Sequence, residues 1–559
     1  MTQSNSQVFA ANLLAQLVAN GIDHIFVAPG ARSQALAIAA GQLAQAGQVQ
    51  LHVRLDERSM AFQALGVGLS SGFPAAVITT SGTAVANLHP AVLEAHHAGV
   101  PMVLLTADRP AELRGIGSNQ TTNQVGLFAD AVLDCIDVAA PDAQDTSDHL
   151  AQLATTLARQ AVYESVSSGG PIQLNLAFRE PLSATTPNAA ELLQHLIDTD
   201  QIDDGRGGEG HQHTDDCNHD HANHHDLEED GQAASSTPDS VIDLGLKTIV
   251  VAGDAGDLAR WYCTGVPLLA EPSSGVRGLP ESVPGYLWVL EQDQQLVEQV
   301  QQILVFGKPT LNRPMQALLR NPDIKVFSDP GRHGVFNPGH NTQLLGDDVE
   351  FLGDPDPSWL QAWQAAAAAH QAAAANLAAV QAEPGVTRQQ LVTAAFEAAD
   401  ELNPLVLGAS RLIRVAERWA PAKQIQVYAN RGLAGIDGTV ATATGIALTE
   451  PGATTRVLLG DLTLLHDAGS LVIDPLDQGL NLQLIVGNDN GGTIFTGLEV
   501  AQILPSDLFG QLFTTPQAVD LAALAAAYGW QYVAVQSLPQ LDAALAQPGH
   551  VFIDVKIVD

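Results

Sequence analysis

Short apolar runs that end at glycine, aspartate or arginine alternate with helix-length segments through most of this chain. Between residues 6 and 180 a helix is predicted at 8–19, and strands are predicted at 25–28, 50–55, 75–79 and 102–106. Strands that alternate with helices pair in parallel, because each return to the sheet needs a helix-length crossover. The pattern predicts an α/β fold whose sheets are mostly parallel and flanked by helices. Ligands of such sheets bind beyond the carboxyl ends of the strands.

The same alternation recurs after residue 240, and the length of 559 residues accommodates three such units. We place the three domains at residues 1–190, 240–380 and 386–559. Strands are predicted at 247–252, 302–306 and 324–327 in the second unit, and at 405–407, 426–428, 456–459, 482–486 and 551–555 in the third. An alanine-rich helix predicted at 359–382 leads into the third unit, which is similar in rhythm to the first.

Charge and cysteine content exclude several functional classes. The chain has 24 basic and 61 acidic residues, a net charge of −37, which argues against nucleic-acid partners and anionic membranes. Cys135, Cys217 and Cys263 are too far apart for a zinc or redox motif, so a reducing, cytoplasmic location is expected. We expect neither secretion nor membrane insertion, because no basic leader and no apolar run of about 18 residues is present.

Residues 203–236 differ from the rest of the chain. They contain almost no apolar side chain and many Gly, His, Asp and Glu residues, so they are predicted to form a disordered insertion between domains. An alternative interpretation is that this histidine-rich segment buffers metal ions and that the chain is a noncatalytic, metal-binding protein.

Two acidic turns in the third unit carry the most specific chemical signal. One predicted strand ends at Gly460-Asp461-Leu462, and the next ends at the turn that begins with Asn488-Asp489 and includes Gly491. Carboxylate and carbonyl oxygens suit a hard cation such as Mg²⁺, and glycine lets a backbone approach phosphate closely. We expect Asp461, Gly491 and either Asp489 or Asn488 as ligands. Either turn alone could be an ordinary capped turn, but the pair favours a cation site.

This spacing resembles the metal and diphosphate motif of the thiamine-diphosphate-dependent enzymes, with Leu462 in place of the usual third glycine. The resemblance implies thiamine diphosphate together with Mg²⁺ (or Mn²⁺), bound between domains of the fold predicted above. It also implies that Glu57, in a separate unit, is the catalytic glutamate that contacts the aminopyrimidine ring. A carboxyl group hydrogen-bonded to that ring favours the tautomer in which the cofactor removes its own proton.

Further stretches resemble one family among these enzymes, the 2-succinyl-5-enolpyruvyl-6-hydroxy-3-cyclohexene-1-carboxylate synthases of menaquinone biosynthesis. They are 28–33, 55–58, 80–87, 105–110, 119–120, 429–432, 435–438 and 492–495. This resemblance implies decarboxylation of 2-oxoglutarate and addition of the remaining unit to isochorismate, by a homodimer or dimer of dimers. Another thiamine-dependent carboligase or decarboxylase, such as an acetohydroxyacid-synthase-like protein, is the alternative.

The resemblance also implies a set of site residues. Cofactor contacts would come from Glu57, Ser410, Ile436, Asp461, Leu462, Asn488, Asp489, Gly491 and Ile494, and substrate contacts from Arg32, Arg109, Gln120, Arg313, Ser410, Arg414, Arg431 and Phe495. Arginine suits dicarboxylate substrates because its planar fork binds carboxylates bidentately. The alternative role for any single arginine is a surface ion pair, and for the apolar members it is core packing.

Overall fold

The structure, a computed structural model, describes residues 4–199, 240–331, 335–380, 384–477 and 479–559. These residues form three large parallel sheets, one after another along the chain, with helices packed on them. The predicted α/β class is therefore confirmed. The predicted insertion at 203–236 lies outside the described residues. Within the described ranges, no helix combines the length and the apolar character needed to cross a bilayer.

The first sheet contains the strands β1 (His24–Val27), β2 (Gln50–Val53), β3 (Ala75–Thr79), β4 (Met102–Asp108), β5 (Asp134–Val138) and β6 (Pro171–Ala177). Their order is β2-β1-β3-β4-β6-β5, and every neighbouring pair is parallel. The helices of this part are α1 (Asn5–Ala19), α2 (Gln34–Gln45), α3 (Glu57–Ser71), α4 (Thr83–Ala86), α5 (His89–Ala98), α6 (Ser147–Ser168) and α7 (Ala189–Asp198).

The middle part contains β7 (Ser240–Asp243), β8 (Thr248–Ala252), β9 (Leu268–Ala270), β10 (Gln302–Phe306), β11 (Lys325–Ser328), β12 (Thr342–Leu344) and β13 (Val349–Leu352). Five of them form a parallel sheet in the order β12-β11-β10-β8-β9, and β13 pairs with β7. The helices are α8 (Tyr286–Gln292), α9 (Gln294–Val297), α10 (Arg313–Leu319) and α11 (Pro357–Val380).

The third sheet contains β14 (Leu405–Leu407), β15 (Val427–Ala429), β16 (Thr454–Gly460), β17 (Asn481–Asn488), β18 (Gln531–Val535) and β19 (His550–Lys556). The helices are α12 (Arg388–Ala398), α13 (Arg411–Trp419), α14 (Thr439–Thr449), α15 (Asp461–His466), α16 (Val500–Ile503), α17 (Ser506–Phe509), α18 (Leu521–Ala527) and α19 (Leu538–Leu545). Its strand order, β15-β14-β16-β17-β19-β18, repeats that of the first sheet strand for strand. The similar rhythm of the two units thus corresponds to the same topology.

Glycines let the first and third domains pack closely through α3 and α14. A methyl group at Gly66 of α3 would overlap the carbonyl oxygen of Thr442, and one at Gly445 of α14 would overlap that of Gln63. The two helices therefore touch backbone to backbone, which only glycine permits at these positions. This contact fixes the first residue of α3, Glu57, relative to the third domain.

Candidate active site

The acidic pair lies at the carboxyl ends of two adjacent strands. Asp461 follows β16 and is the first residue of α15, while Asp489 follows β17, and the two strands pair up to Gly460 and Gly487. Asp461 is buried, and burial raises the pKa of its carboxyl to about 6, assisted by the negative charge of Asp489. The backbone N–H groups of Leu462 and Gly491 act in the opposite direction. The pair therefore holds more negative charge than its surroundings neutralise.

Gly491 shapes the turn beside this pair. Its φ of 134° is open to glycine, and a methyl group there would overlap the carbonyl oxygen of Thr514. The N–H of Gly492 donates to the same oxygen at 2.7 Å, so the turn is seated against the segment that contains Thr514. Because the Gly491 turn is packed this closely, its backbone carbonyl groups are held in one orientation.

The structure distinguishes the two residues that the sequence left open as a ligand. The side chain of Asn488 is used within the protein: Nδ2 donates to Asp554 Oδ1 at 3.0 Å, and Oδ1 accepts the N–H of Asn490 at 3.2 Å. Asp489 is also hydrogen-bonded within the protein, but only through Oδ2, and its negative charge acts on Asp461. Asp489 is therefore the better candidate. In the described part of the chain, no cluster of three or more His, Cys, Asp or Glu residues could hold a metal alone, so further ligands would have to be backbone carbonyls or cofactor oxygens.

Apolar side chains line the same region. Leu462, the second residue of α15, and Ile494 and Phe495, in the short helical turn Thr493–Gly497, are all half-buried. The Phe495 ring meets Phe513 edge to face with centroids 5.8 Å apart. All three side chains therefore keep part of their surface accessible.

A second group of predicted residues lies on α13 and on the loop after β15. Ser410 precedes α13, and its carbonyl accepts a hydrogen bond from Arg414 Nη1 at 2.8 Å. Partial desolvation and the positive charge of Arg431 both lower the pKa of Arg414, so the two arginines are neighbours. Arg431 is buried, with Nη2 donating to Thr310 Oγ1 of the middle domain at 2.7 Å.

Glu94 of the first domain holds the loop that carries Arg431 and Ile436. Its carboxylate accepts the N–H groups of Gly432 at 2.6 Å and Leu433 at 2.8 Å. Ile436, half-buried, follows in the same loop. All three domains therefore meet at this loop. Glu94 and Thr310 could not be predicted from the sequence, because they lie 338 and 121 residues away from their partners and belong to no local motif.

Arg32, Arg109 and Gln120 come together in the first domain. Arg109 follows β4, and its Nη1 donates to the carbonyl oxygen of Gln120 at 2.6 Å and to the hydroxyl of Ser81. Arg32 Nη1 donates to the carbonyl oxygen of Phe178 at 3.0 Å. Burial and the positive charge of Arg109 lower the pKa of Arg32. Two guanidinium groups thus share one site while their hydrogen bonds go to neutral oxygens.

Glu57 begins α3 rather than ending a strand. Strand β2 stops at Val53, two residues before the predicted end, and Asp56 caps the helix by accepting N–H groups of its first turn. The strand predicted at 50–55 is therefore too long by two residues, because a helix cap follows it directly. Glu57 is half-buried, and Asn87 Nδ2 donates to its Oε2 at 3.4 Å.

Arg313 is separate from the other arginines. It is 78% exposed and pairs with Glu499 at 3.3 Å. Within the described residues of one chain, no hydrogen bond or ion pair joins Glu57 to the acidic pair, or Arg32 and Arg109 to Arg414 and Arg431. One chain therefore presents three groups of predicted site residues, together with Glu57 and the exposed Arg313.

Comparisons with known proteins identify the two outer domains and the family. Residues 8–127 match the family model "Thiamine pyrophosphate enzyme, N-terminal TPP binding domain", and residues 412–555 match the corresponding C-terminal TPP binding domain. Curated 2-succinyl-5-enolpyruvyl-6-hydroxy-3-cyclohexene-1-carboxylate synthases are similar over nearly the whole chain. That of Leifsonia xyli is 43% identical (97% of this chain, 94% of the relative), and that of Clavibacter michiganensis is 42% identical (98% and 96%). The enzyme of an Arthrobacter species is 40% identical (97% and 87%).

Identity at this level over almost the full length of both chains, with both cofactor-binding domains matched, settles the relationship. The chain belongs to the family of 2-succinyl-5-enolpyruvyl-6-hydroxy-3-cyclohexene-1-carboxylate synthases, which are thiamine-diphosphate-dependent enzymes.

Proposed function

We propose that this protein decarboxylates 2-oxoglutarate and adds the remaining four-carbon unit to isochorismate, using thiamine diphosphate and Mg²⁺ (or Mn²⁺). The observation that carries the proposal is the pair of carboxylates, Asp461 and Asp489, at the ends of adjacent strands beside the Gly491 turn. The names of the relatives supply the reaction, and the arginine groups match its two dicarboxylate substrates.

The residues present fit the cofactor and its metal. Burial and the charge of Asp489 raise the pKa of Asp461, and a divalent cation between the two carboxylates would relieve their repulsion. The constrained carbonyl of Gly491 adds a further hard oxygen, and the open positions of the cation would take diphosphate oxygens. Leu462, Ile436, Ile494 and Ser410 would contact the organic part of the cofactor. Asn488, whose side chain is hydrogen-bonded to Asp554, would orient this turn instead of binding the metal.

Thiamine diphosphate, when bound, supplies an electron sink for loss of CO₂ from a 2-oxoacid. Glu57 would donate or share a proton at the pyrimidine ring nitrogen, held in place by Asn87. Arg414 and Arg431 would bind the carboxylate of the 2-oxoglutarate unit. Arg32, Arg109 and Gln120 would bind isochorismate, with Phe495 closing the reacting side and excluding water.

Arg313 has a less direct case than the other arginines. Its exposure and its ion pair with Glu499 describe a surface bridge between the middle and third domains. We retain it as a proposed isochorismate contact that would become available when this pair opens.

We also propose that the active form is a homodimer or a dimer of dimers. Among the described residues of one chain, no hydrogen bond or ion pair joins Glu57 to the acidic pair, and a second copy would bring the Glu57 of one subunit to the acidic pair of another. Mixing Glu57→Gln chains with Asp461→Ala chains should restore part of the activity through hybrid sites. Confirmed heterodimers without restored activity would contradict this arrangement.

The location proposed is the cytoplasm. This proposal rests on the wide spacing of the three cysteines in the sequence; Cys135 and Cys263 are free thiols in the structure. The domain limits 1–190, 240–380 and 386–559 are likewise proposals.

Product identification tests the reaction. The protein is incubated with thiamine diphosphate, Mg²⁺, 2-oxoglutarate and isochorismate, and the product is identified by mass. We expect one product that contains isochorismate plus a four-carbon unit, with release of CO₂. Glu57→Gln serves as the control, since it should bind the cofactor yet lose about 100-fold or more in turnover. Consumption of pyruvate instead of 2-oxoglutarate would favour the acetohydroxyacid-synthase-like alternative.

A further inference from the structure

A buried arginine is hydrogen-bonded to one member of the acidic pair. Arg388 is the first residue of α12, and its side chain is only 5% exposed. Its Nη2 lies 2.5 Å from Asp489 Oδ2. The helix start is fixed by a capping box between Thr387 and Gln390, so the backbone of Arg388 has little freedom.

Asp489 receives its hydrogen bonds on one oxygen. The Thr493 hydroxyl donates to Oδ2, and Arg388 Nη2 also donates to Thr493 Oγ1 at 3.1 Å. No hydrogen bond from the described residues reaches Oδ1 of Asp489. The carboxylate therefore has one oxygen saturated by donors and one oxygen available to a cation.

Arg388 is itself held in place from the other side. Its backbone N–H donates to Asp559 Oδ1 at 2.9 Å, and its Nη1 donates to the same oxygen at 3.2 Å. A guanidinium fixed at both ends cannot turn away from Asp489 without breaking several charge-assisted hydrogen bonds. It offsets one of the two negative charges of the acidic pair at a fixed position.

We propose that Arg388 is a positioning residue for the cation site: it occupies Oδ2 of Asp489, so that Oδ1 is the oxygen that faces the metal. The inference rests on the proposed function, which assigns Asp461 and Asp489 as cation ligands. Outer partners that orient a ligand in this way are commonly worth 10- to 100-fold in metal affinity.

The arrangement predicts which atom would face the cation if Asp489 were replaced by asparagine. In Asp489→Asn, the amide oxygen would turn towards the donors Arg388 and Thr493, and the NH₂ group would take the place of Oδ1. An NH₂ group cannot bind a cation. Removing Arg388 as well would free the amide to turn its oxygen back, so Arg388→Met should partly rescue Asp489→Asn.

Manganese binding tests the proposal without relying on turnover. Free Mn²⁺ is measured by electron paramagnetic resonance with thiamine diphosphate present. We expect Arg388→Met to weaken Mn²⁺ binding about 10-fold and Asp489→Asn about 100-fold. The double variant should bind about 10-fold more tightly than Asp489→Asn alone. Arg411→Met is the matched control, because it removes a second positive charge near Asp489 without removing a hydrogen bond to that carboxylate: Arg411 donates to the Thr493 carbonyl oxygen at 3.1 Å. We expect this control to change Mn²⁺ binding less than about twofold.

The outcomes separate the two proposals. If wild-type protein binds no Mn²⁺ with the cofactor, the proposed function and this inference both fail. If wild type binds but Arg388→Met is unchanged, or if the double variant is no better than Asp489→Asn, Arg388 does not position the ligand. Should Arg388→Met fail to fold by circular dichroism, Thr493→Val removes the other donor, and unchanged Mn²⁺ binding in that variant would overturn the proposal.

Discussion

Two pairs of like charges occupy corresponding ends of two sheets that share one strand order. Arg32 and Arg109 follow strands of the first sheet, and Asp461 and Asp489 follow strands of the third. In each pair, burial and the neighbouring charge shift a pKa away from the charged form, downward for Arg32 and upward for Asp461. The same topology thus brings two positive charges together in one domain and two negative charges together in the other.

The two pairs differ in how their charge is neutralised. The hydrogen bonds of the two arginine side chains go to the carbonyl oxygens of Phe178 and Gln120 and to the Ser81 hydroxyl, which carry no charge. In the acidic pair, Asp489 has Arg388, whereas Asp461 has only backbone N–H groups opposing its shift. Repulsion between like charges therefore remains in each pair, although Glu180 and Asp108 offset part of it at Arg32, and a ligand of opposite charge would relieve it.

Among the variants of the two pairs, removal of Asp461 should have the largest effect on binding. Asp461→Asn deletes a proposed metal ligand, and we expect cofactor affinity in the presence of Mg²⁺ to fall at least about 100-fold, about 2.8 kcal/mol. Without cofactor, the same change removes the repulsion and should stabilise the chain by about 1 kcal/mol. Calorimetry and denaturant unfolding measure the two quantities. Normal cofactor binding by Asp461→Asn would show that the metal lies elsewhere.

Removing Arg109 should have the next largest effect, on the binding of one of the two substrates. Arg109→Gln removes a charged donor, and we expect the KM for isochorismate to rise about 10-fold or more, while the KM for 2-oxoglutarate changes little. Steady-state kinetics with each substrate varied provide the measurement.

Arg114→Gln is a matched control for this change. Arg114 is already paired with Asp137 at 2.8 Å and with Asp108 at 3.1 Å, so its charge is neutralised within the protein. We expect this variant to lose some stability and to keep both KM values. Equal effects of Arg109→Gln and Arg114→Gln on isochorismate would end the distinction between unneutralised and paired arginines.

A third pair of like titratable groups, two histidines of the first domain, avoids repulsion without a ligand. His24 Nδ1 and His52 Nε2 lie 3.0 Å apart, and both side chains are buried. Burial, with His24 and Arg54 nearby, lowers the pKa of His52 to about 2. Two imidazoles can share a hydrogen bond only while at least one is neutral, so this pair avoids repulsion by remaining uncharged.

The histidine pair predicts a pH-dependent stability. Between pH 6.5 and about 2 the unfolded chain binds a proton at His52 that the folded chain does not, so stability falls as the pH falls through this window. His52→Phe keeps a ring beside Phe26 and removes the titration. The loss of unfolding free energy from pH 7.5 to 5.5 should be about 1 kcal/mol smaller in the variant. An identical pH dependence in the two proteins, measured by urea unfolding, would contradict the lowered pKa.

Most of the longer apolar strands could be predicted from the sequence, whereas β5, β6, β9, β12 and β18, which are very short or contain polar residues, were missed. The buried strand β3 begins and ends at the predicted residues, whereas the edge strand β5, Asp134–Val138, was missed because polar residues interrupt it. The two-stranded sheet of β7 and β13 was missed as well, because its residues are mostly exposed or half-buried.

The candidate site shows the same division. Asp461 and Asp489 could be found because each closes an apolar strand within a short motif. Arg388 could not, because it reaches Asp489 across 101 residues and stands at the start of a helix with no motif of its own. Partners that orient a ligand are set by tertiary packing, which sequence spacing does not encode.

The smallest effect is expected from the segment 203–236, which separates the first domain from the middle one in sequence. None of the residues in the arginine pair, the acidic pair or the Glu57 region belongs to it. Replacing it with a short Gly/Ser linker should leave turnover and Mg²⁺ dependence nearly unchanged, because loop length changes closure entropy only weakly. The replacement should abolish weak Ni²⁺ or Zn²⁺ binding by its histidines, which isothermal titration can follow. If the shortened chain folded by circular dichroism but lost activity, the segment would have to contact one of the two charged sites or a partner subunit, and the predicted domain limit at this position would be wrong.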